Sequence, residues 1–179
     1  LIHYILADTP IEGETLPKNI IRTLFPIELF ANKRVVIHRD GLFRGDELVI
    51  FEEWAREIKS EIYPVEVVKS GVPRLHAKLN QVTIPKMGDT FIINQHEAIV
   101  VSSLPIHKNS TPRPLLVRTK GDLPIEQAVN SVLSMTLLHF GSLRPPRLPV
   151  TIHYSDRIGY LALRGIKPRT KSGSRPYWL

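Results

Sequence analysis

The sequence predicts a folded domain of the α/β or mixed class. Segments with strand patterning alternate with segments of helical patterning at both ends of the chain, and the middle contains short strand-like segments separated by turns. Apolar residues make up 42% of the 179 residues, which favours a globular domain with a core over a disordered chain. No apolar run approaches the roughly 18 residues that a membrane-spanning helix needs. We therefore expect no membrane partner.

The first third of the chain alternates strands with helices. Residues 1–7 are rich in β-forming residues and predict a strand, which a turn over 8–13 follows. The next segment, 17–30, predicts a helix that Pro26 should end or kink. Its apolar residues share one side at helical spacing: Ile20, Ile21, Leu24 and Phe25.

A second strand and helix come next. Residues 33–39 predict a strand, and the continuous run from Val35 to Ile37 indicates burial on both faces. Asp46 can cap the helix that follows, because its side chain can accept a hydrogen bond from the first helical turn. The apolar stripe of this helix is Leu48, Phe51, Ala55 and Ile58, and residues 65–69 predict the next strand.

Short strands dominate the middle, and helices return towards the end. A Ser/Thr/Pro-rich stretch over 109–114 predicts a loop, and Asp122 with Pro124 indicates the start of a helix over 125–140. A basic linker over 141–146 separates it from a last helix over 149–164, which Gly165 should terminate. The predicted middle strands cover 74–79, 81–85, 90–94, 98–102 and 115–119.

Positive charge is concentrated in the last third of the chain. The formal net charge is +7, and Asp156 is the only acid after Glu126. Such a basic segment attracts polyanions, because each phosphate contact releases condensed counterions, and nucleic acid is the leading partner. A basic surface that binds an acidic protein, or no partner, is the alternative. The basic residues of this segment are Arg144, Arg147, Arg157, Arg164, Lys167, Arg169, Lys171 and Arg175.

Cysteine is absent, so disulfides and thiolate metal sites are excluded. This composition fits a reducing compartment, and we expect a cytoplasmic protein. The chain starts within the apolar run LIHYILA, without a methionine or a charged leader. We therefore expect a fragment of a longer protein and no signal peptide.

Two acidic motifs could carry chemistry. Asp40 lies in His38-Arg39-Asp40-Gly41 at the end of a buried strand, where ligands and metals collect in α/β folds. A simple Asp-Gly turn is the structural alternative. Asp156 lies in the last predicted helix, where His153 shares its face, although an ordinary carboxylate held by Arg157 would look the same.

Two further segments gave weaker signals. Glu12 and Glu14 precede the first predicted helix, where the helix dipole favours acids whatever their function. The chain ends in Pro176-Tyr177-Trp178-Leu179, an apolar terminus after a polar tail. Such a terminus could bury the chain-terminal carboxylate, although most termini simply fray.

In this order, these segments resemble the PIWI domain of prokaryotic Argonautes. The resemblance covers nearly the whole chain and rests on the strand VVIHRDG, the run VEVVKSGVPRL, the helix IEQAVNSVLSMTLLHFGSL, the stretch RLPVTIHYSDRIGYLALRGI and the terminal PYWL. It implies one domain over 1–179, the C-terminal portion of PIWI. The implied fold is RNase H-like, with a central mixed sheet flanked by helices and incomplete at its N-terminal end.

The resemblance also implies a two-metal nuclease site. In the family, two Asp, one Glu and a final Asp or His hold two divalent ions, Mg²⁺ or Mn²⁺. Asp40 matches the Asp of the family's strand motif, Asp156 matches the last ligand, and Glu14 is placed as the mobile Glu, with Glu12 as the alternative. The carboxylate of Leu179 matches the group that helps to hold an ion at the guide's 5′ phosphate.

One family ligand has no counterpart in this sequence. The family's first Asp lies on an earlier strand, and Asp8 is no substitute because it sits in a predicted turn six residues before Glu14. We therefore expect the remaining Argonaute domains, in the same chain or a partner chain, to supply it. The implied activity is cleavage of a target strand paired to a guide, either of which could be DNA or RNA.

Several cations are candidates for contacts with the nucleic-acid backbone: Lys69, Arg74, Arg118, Arg144 and Arg147. Each could equally be a solvated surface charge.

The first alternative function is a guided binder that does not cut. The second is an unrelated metalloenzyme in which His38 and His153 join Asp40 and Asp156 as ligands. A coating protein without a guide is disfavoured, because regularly spaced aromatic stacking positions are missing from the sequence.

Overall fold

A computed structural model of the chain describes residues 4–6, 15–78, 80–107, 110–139, 144–166 and 172–173. The helices are α1 (Lys18–Leu24), α2 (Ile27–Phe30), α3 (Glu47–Glu57), α4 (Ile125–Leu137) and α5 (Val150–Leu163). The strands are β1 (Tyr4–Ile5), β2 (Arg34–Asp40), β3 (Glu61–Val68), β4 (Ala77–Lys78), β5 (Val82–Thr83), β6 (Thr90–Asn94), β7 (Glu97–Val100), β8 (Leu115–Thr119) and β9 (Ser172–Gly173).

The chain divides into two compact units, and the first contains residues 1–35, 43–62 and 154–179. Its core is an aromatic cluster, in which Phe25 contacts Phe30, Phe51 and Trp54 edge to face at centroid distances of 5.3–6.0 Å. Edge-to-face contacts are favourable because the positive edge of one ring meets the negative face of another. Pro26 separates α1 from α2, so the prediction that this proline would end or kink the first helix is confirmed.

The start of α3 is fixed by Glu47, and the prediction that Asp46 would cap it is wrong. Asp46 occupies the N-cap position without a side-chain hydrogen bond. The Glu47 carboxylate instead accepts hydrogen bonds from the backbone N–H groups of Leu16, at 2.7 Å, and Arg44, at 3.0 Å. Because Glu47 is completely buried, its carboxylate ties the segment before α1 to the turn before α3.

Glu47→Ala should lower the free energy of unfolding by about 2 kcal/mol, because two N–H donors lose a charged acceptor. The measurement is urea unfolding, with the exposed Glu52→Ala on the same helix as the matched variant. Equal effects of the two substitutions would show that Glu47 stabilises this unit only as any helical glutamate does.

The second unit contains residues 36–42 and 63–153 and most of a five-stranded sheet in the order β2-β3-β8-β7-β6. The pairs β3–β8, β8–β7 and β7–β6 are antiparallel. One face of the sheet packs against α4 through a buried apolar cluster that includes Val67, Val100, Val117 and Val132. Burial of this cluster away from water is the main stabilising contribution to the unit.

Several predicted elements differ from the structure in extent. β3 begins at Glu61, well before the predicted 65, and β4 and β5 are two-residue strands where longer ones were expected. The helix predicted over 125–140 ends at Leu137, and its N-cap is Pro124, so the capping role considered for Asp122 is wrong. The last helix ends near Gly165, whose φ of +76° confirms the predicted left-handed termination.

Candidate nucleic-acid interface

The end of β2 places Asp40 beside Lys69, the residue that follows β3. Gly41, with φ of +79°, donates its N–H to the carbonyl of Val67 at 3.1 Å, which fixes the backbone immediately after Asp40. The Lys69 ammonium lies 2.7 Å from Oδ2 of Asp40, and the two side chains are 36% and 32% exposed. The carboxylate of Asp40 therefore lies next to a cation where the sheet is partly exposed to solvent.

Lys69 also lines a cleft of about 360 Å³, and a second cleft measures about 530 Å³; we call them the smaller and the larger cleft. Both are lined by Arg74, Arg113 and Arg147, and the smaller cleft also by Lys69. The larger cleft is completed by Ser103, Leu104, Pro105, Ser110 and Thr111, and the smaller by Ser70, Gly71, Val72 and Pro114. No acidic residue occurs among these lining residues of the described part of the chain.

Backbone carbonyls hold two of the three arginines in place. Arg74 donates from Nη1 to the carbonyls of Thr111, at 3.2 Å, and Pro112, at 2.7 Å. Arg147 donates from Nη2 to the carbonyls of Lys69 and of Pro114, the latter at 3.1 Å. Carbonyls orient a guanidinium without placing a negative charge beside it.

The three like charges have an electrostatic cost. Burial, and then repulsion from Arg113 and Arg74, lowers the pKa of Arg147 below its usual range. Its Nε atom is buried and has no hydrogen-bond partner within the residues that the structure describes. A bound anion would relieve the repulsion and supply acceptors, so the arrangement suits phosphate groups.

His38 is partly buried in the second unit, two residues before Asp40. Its Nε2 and Nδ1 atoms each lie 2.9 Å from a hydroxyl, of Ser131 and Thr151 respectively. Ser131 donates its own proton to the carbonyl of Ala128 at 2.8 Å, so its oxygen accepts from His38 Nε2–H, and Nδ1 accepts from Thr151. Burial lowers the pKa of His38 from 6.5 to about 4.

Both ring nitrogens of His38 are thus engaged, which argues against the mixed His/carboxylate metalloenzyme considered above. Within the described ranges, no group of three or more His, Cys, Asp or Glu residues could hold a metal ion. Asp40 and Asp156 nevertheless offer the carboxylate oxygens that Mg²⁺ and Mn²⁺ prefer. Each side chain by itself has the chemistry of a ligand for such an ion.

The remaining predicted site residues belong to different elements. Asp156 is exposed on α5 within the first unit, whereas Asp40 belongs to the second. Nε of Arg118 on β8 lies 2.6 Å from a carboxylate oxygen of Glu97 on β7, so Arg118 already has an acidic partner within the protein. Arg144 is exposed in the loop before α5. Glu12, Glu14 and Leu179 lie outside the described residues, so their predicted roles stay predictions.

Sequence reasoning missed Arg113. It lies in the segment predicted only as a Ser/Thr/Pro loop, yet it lines both clefts. A cation inside a polar loop directly before the strand β8 was the available signal. Only the fold shows that this loop returns to Arg74 and Arg147.

No protein-family model matches the chain. The chain is 33% identical over 184 aligned residues to the protein argonaute of Aquifex aeolicus strain VF5, an alignment that covers all of this chain and 25% of that protein. Within the described residues, no helix is long and apolar enough to cross a membrane.

Solved structures show the same likeness. Clostridium butyricum Argonaute bound to a guide DNA and a 19-mer target DNA has a TM-score of 0.86 and 24% identity, covering 100% of this chain and 25% of that one. Aquifex aeolicus Argonaute has a TM-score of 0.75 and 30% identity, covering 95% of this chain and 25% of that one. The chain therefore spans about a quarter of these relatives, and the predicted α/β, RNase H-like fold is confirmed.

Proposed function

We propose that this chain, an Argonaute-like PIWI segment by sequence and fold, holds the sugar–phosphate backbone of a guide strand in its two arginine-lined clefts. The observation that carries this proposal is the convergence of Arg74, Arg113 and Arg147 without an acid among the described lining residues. Charge-assisted hydrogen bonds from guanidinium groups to phosphate are strong and geometrically specific. Serine and threonine hydroxyls of the larger cleft add further donors.

Recognition of this kind reads the backbone and leaves the bases free. Contacts to phosphate fix the position of a strand but carry no sequence information. Pairing between guide and target, either DNA or RNA, then supplies the choice of target, as in other guided nucleases. The guide, its complementary target and the remaining Argonaute domains are thus the proposed partners, and the proposed compartment is the cytoplasm.

The finer part of the proposal is an endonuclease activity in a full-length Argonaute that contains this segment. Asp40 and Asp156 would hold divalent ions, with Glu14 as a third carboxylate and the Leu179 carboxylate at the ion of the guide's 5′ phosphate. Mg²⁺ or Mn²⁺, when bound, would activate a water and stabilise the leaving oxygen of the target's phosphodiester. The first catalytic Asp would come from the rest of the protein.

A guided binder without cleavage is the second candidate function. The ion pair between Lys69 and Asp40 favours it, because a neutralised carboxylate is a weaker metal ligand. Cleavage of a paired target by the full-length protein, measured with Mg²⁺ or Mn²⁺, separates the two candidates. Tight guide binding without any cut would select the binder.

Arg113→Ala should weaken binding of a short 5′-phosphorylated oligonucleotide about tenfold, because one charge-assisted contact to phosphate is lost. The dependence of log Kd on log salt concentration should become shallower by about one unit. Fluorescence anisotropy over a salt series measures both quantities, with Arg56→Ala as the matched variant, since Arg56 is exposed on α3 and lines neither cleft. If Arg113→Ala binds as Arg56→Ala does, the clefts do not hold the strand.

A further inference from the structure

We propose that Arg113 makes the direct contact with a phosphate of the bound strand, and that Arg74 and Arg147 are positioning residues that hold the segment carrying Arg113. This inference rests on the proposed function, because it takes the ligand of the clefts to be a phosphate backbone. It assigns different roles to three arginines that their charges alone make equivalent.

The segment 111–114 has the sequence Thr-Pro-Arg-Pro and directly precedes β8. Pro112 and Pro114 are buried, whereas Arg113 between them is exposed. Proline fixes its own φ, and it also confines the residue before it to extended backbone conformations. Because Pro114 follows Arg113, the backbone of Arg113 has little freedom even before any tertiary contact is considered.

Three of the four carbonyl groups of this segment accept hydrogen bonds from guanidinium groups. Nη1 of Arg74 donates to the carbonyls of the two residues before Arg113, at 3.2 and 2.7 Å. Nη2 of Arg147 donates to the carbonyl of Pro114, the residue after Arg113, at 3.1 Å. The backbone is therefore held on both sides of Arg113.

Arg147 also connects this segment to other walls of the clefts. Its Nη2 donates to the carbonyl of Lys69 as well, a residue of the smaller cleft. The hydroxyl of Ser102, which is completely buried and directly precedes a residue of the larger cleft, donates to the backbone carbonyl of Arg147 at 2.6 Å. A planar guanidinium holds several carbonyls in a fixed geometry, whereas the ammonium of a lysine is a compact charge on a flexible stem.

Arg113 differs from both, because its side chain makes no hydrogen bond or ion pair with the residues that the structure describes. Its charge is nevertheless near the other two, since burial, and then the charges of Arg113 and Arg74, lower the pKa of Arg147. A guanidinium with unused donors can make charge-assisted hydrogen bonds to a phosphate. On a backbone that is already held, forming these bonds costs less conformational entropy.

The test is a set of double-mutant cycles on binding of the 5′-phosphorylated oligonucleotide, measured by fluorescence anisotropy. Arg147→Lys and Arg74→Lys keep the charge but lose the planar group, and each is made in the wild type and in Arg113→Ala. Arg56→Lys is the matched control, because Nε of the exposed Arg56 also donates to a backbone carbonyl, that of Glu52 at 3.4 Å, outside both clefts.

In the wild-type background, Arg147→Lys and Arg74→Lys should each weaken binding about fivefold, although neither changes the net charge. The dependence of log Kd on log salt concentration should stay the same, because Arg113 keeps its charge. In the Arg113→Ala background, the same two substitutions should weaken binding less than about twofold, because they act through Arg113. Arg56→Lys should bind as the wild type does.

A second measurement tests the positioning without any ligand. The order parameter of the Arg113 amide, from ¹⁵N relaxation, should be about 0.85 in the wild type and fall towards about 0.6 in Arg147→Lys and Pro114→Ala. Pro114→Ala changes no charge and keeps the carbonyl that Arg147 holds, so it removes only the constraint on the backbone of Arg113. Thermal unfolding shows which variants are folded. If Arg147→Lys does not fold, Arg74→Lys and Pro114→Ala provide the same test.

Equal losses from the lysine substitutions in the two backgrounds would overturn the inference, because Arg74 and Arg147 would then contact the strand themselves. Unweakened binding by both variants, or an Arg113 amide that is already mobile in the wild type, would overturn it as well. Failure of the proposed function looks different: Arg113→Ala would bind the oligonucleotide as the wild type does. The order parameter of the Arg113 amide would still show whether the segment 111–114 is held.

Discussion

Asp40→Asn should reduce cleavage of a guide-paired target by at least about a thousandfold in a full-length Argonaute that contains this segment, which corresponds to about 4 kcal/mol of transition-state stabilisation. The amide keeps the shape of the carboxylate but lacks the charge that a divalent ion requires of its ligand. The substitution thus removes the proposed metal ligand with the smallest change in packing at the end of β2. Cleavage of a labelled target under single-turnover conditions is the measurement.

Guide binding should respond differently to the same substitution. Asp40→Asn releases the Lys69 ammonium from its ion pair, so the affinity for a guide should stay the same or rise slightly. Asp122→Asn is the matched control, because Asp122 is exposed before α4 and lies outside both clefts. Cleavage that survives in Asp40→Asn would show that this carboxylate holds no catalytic ion, whereas loss of guide binding would show that its role is structural.

The elements that sequence predicted best are those with a strong apolar repeat. The regular spacing of Ile125, Ala128, Val129 and Val132 places one face of α4 on the sheet, and these side chains are buried in the structure. The strand predicted over 33–39 is present as β2, but the predicted burial of the run from Val35 to Ile37 on both faces is wrong, because Val36 is 39% exposed.

The helix caps and the cleft were harder to predict, because both depend on residues distant in sequence. Local pattern favoured Asp46 as the cap of α3, but the fold brings Leu16 to Glu47 and makes Glu47 the acceptor. The loop that contains Arg113 is tied to a distant residue in the same way. The carbonyls of Thr111 and Pro112 accept hydrogen bonds from Arg74, which lies more than thirty residues earlier in the sequence. A single sequence contains no direct record of such pairings.

The candidate catalytic residues show the same difference between what local pattern predicts and what depends on residues distant in sequence. Asp40 was predicted from its motif at a strand end, and the structure shows Lys69 as its ion-pair partner, which no local pattern indicated. Lys69, Arg74 and Arg147 were predicted separately as backbone contacts, and the fold brings them to one cleft. Arg118 was predicted on the same grounds, yet its neighbour Glu97 makes it the weakest of these candidates.

The stability of the fold should fall on acidification because His38 is buried in its neutral form. Burial lowers its pKa from the 6.5 of an exposed histidine to about 4 in the folded chain. Between these values the unfolded state binds a proton that the folded state does not, so protonation favours unfolding as the pH falls through this range. The stabilising contribution is complete above about pH 6.5 and is lost progressively towards pH 4.

The expected magnitude of this effect is about 2.5 kcal/mol between pH 7.5 and pH 4.5, from a shift of about 1.4 kcal/mol per pKa unit. Urea unfolding in metal-free buffer at the two pH values measures this change. Carboxylates that titrate in the same range contribute equally to the wild type and the variants, so their contribution cancels when the variants are compared with the wild type. His38→Gln should be less stable than the wild type at pH 7.5, because the side chain no longer matches both Ser131 and Thr151. It should nevertheless lose about 2.5 kcal/mol less than the wild type on acidification.

His76→Gln is the matched control, because His76 is exposed in the same unit, and it should lose stability on acidification as the wild type does. If His38→Gln also follows the wild-type pH dependence, the imidazole is hydrated enough to take up a proton in the folded state. The hydroxyl groups of Ser131 and Thr151 would then not keep the His38 ring in its neutral form. If the difference appears as expected, His38 acts as a neutral bridge between β2, α4 and α5, and its ring nitrogens are unavailable to a metal ion bound at Asp40.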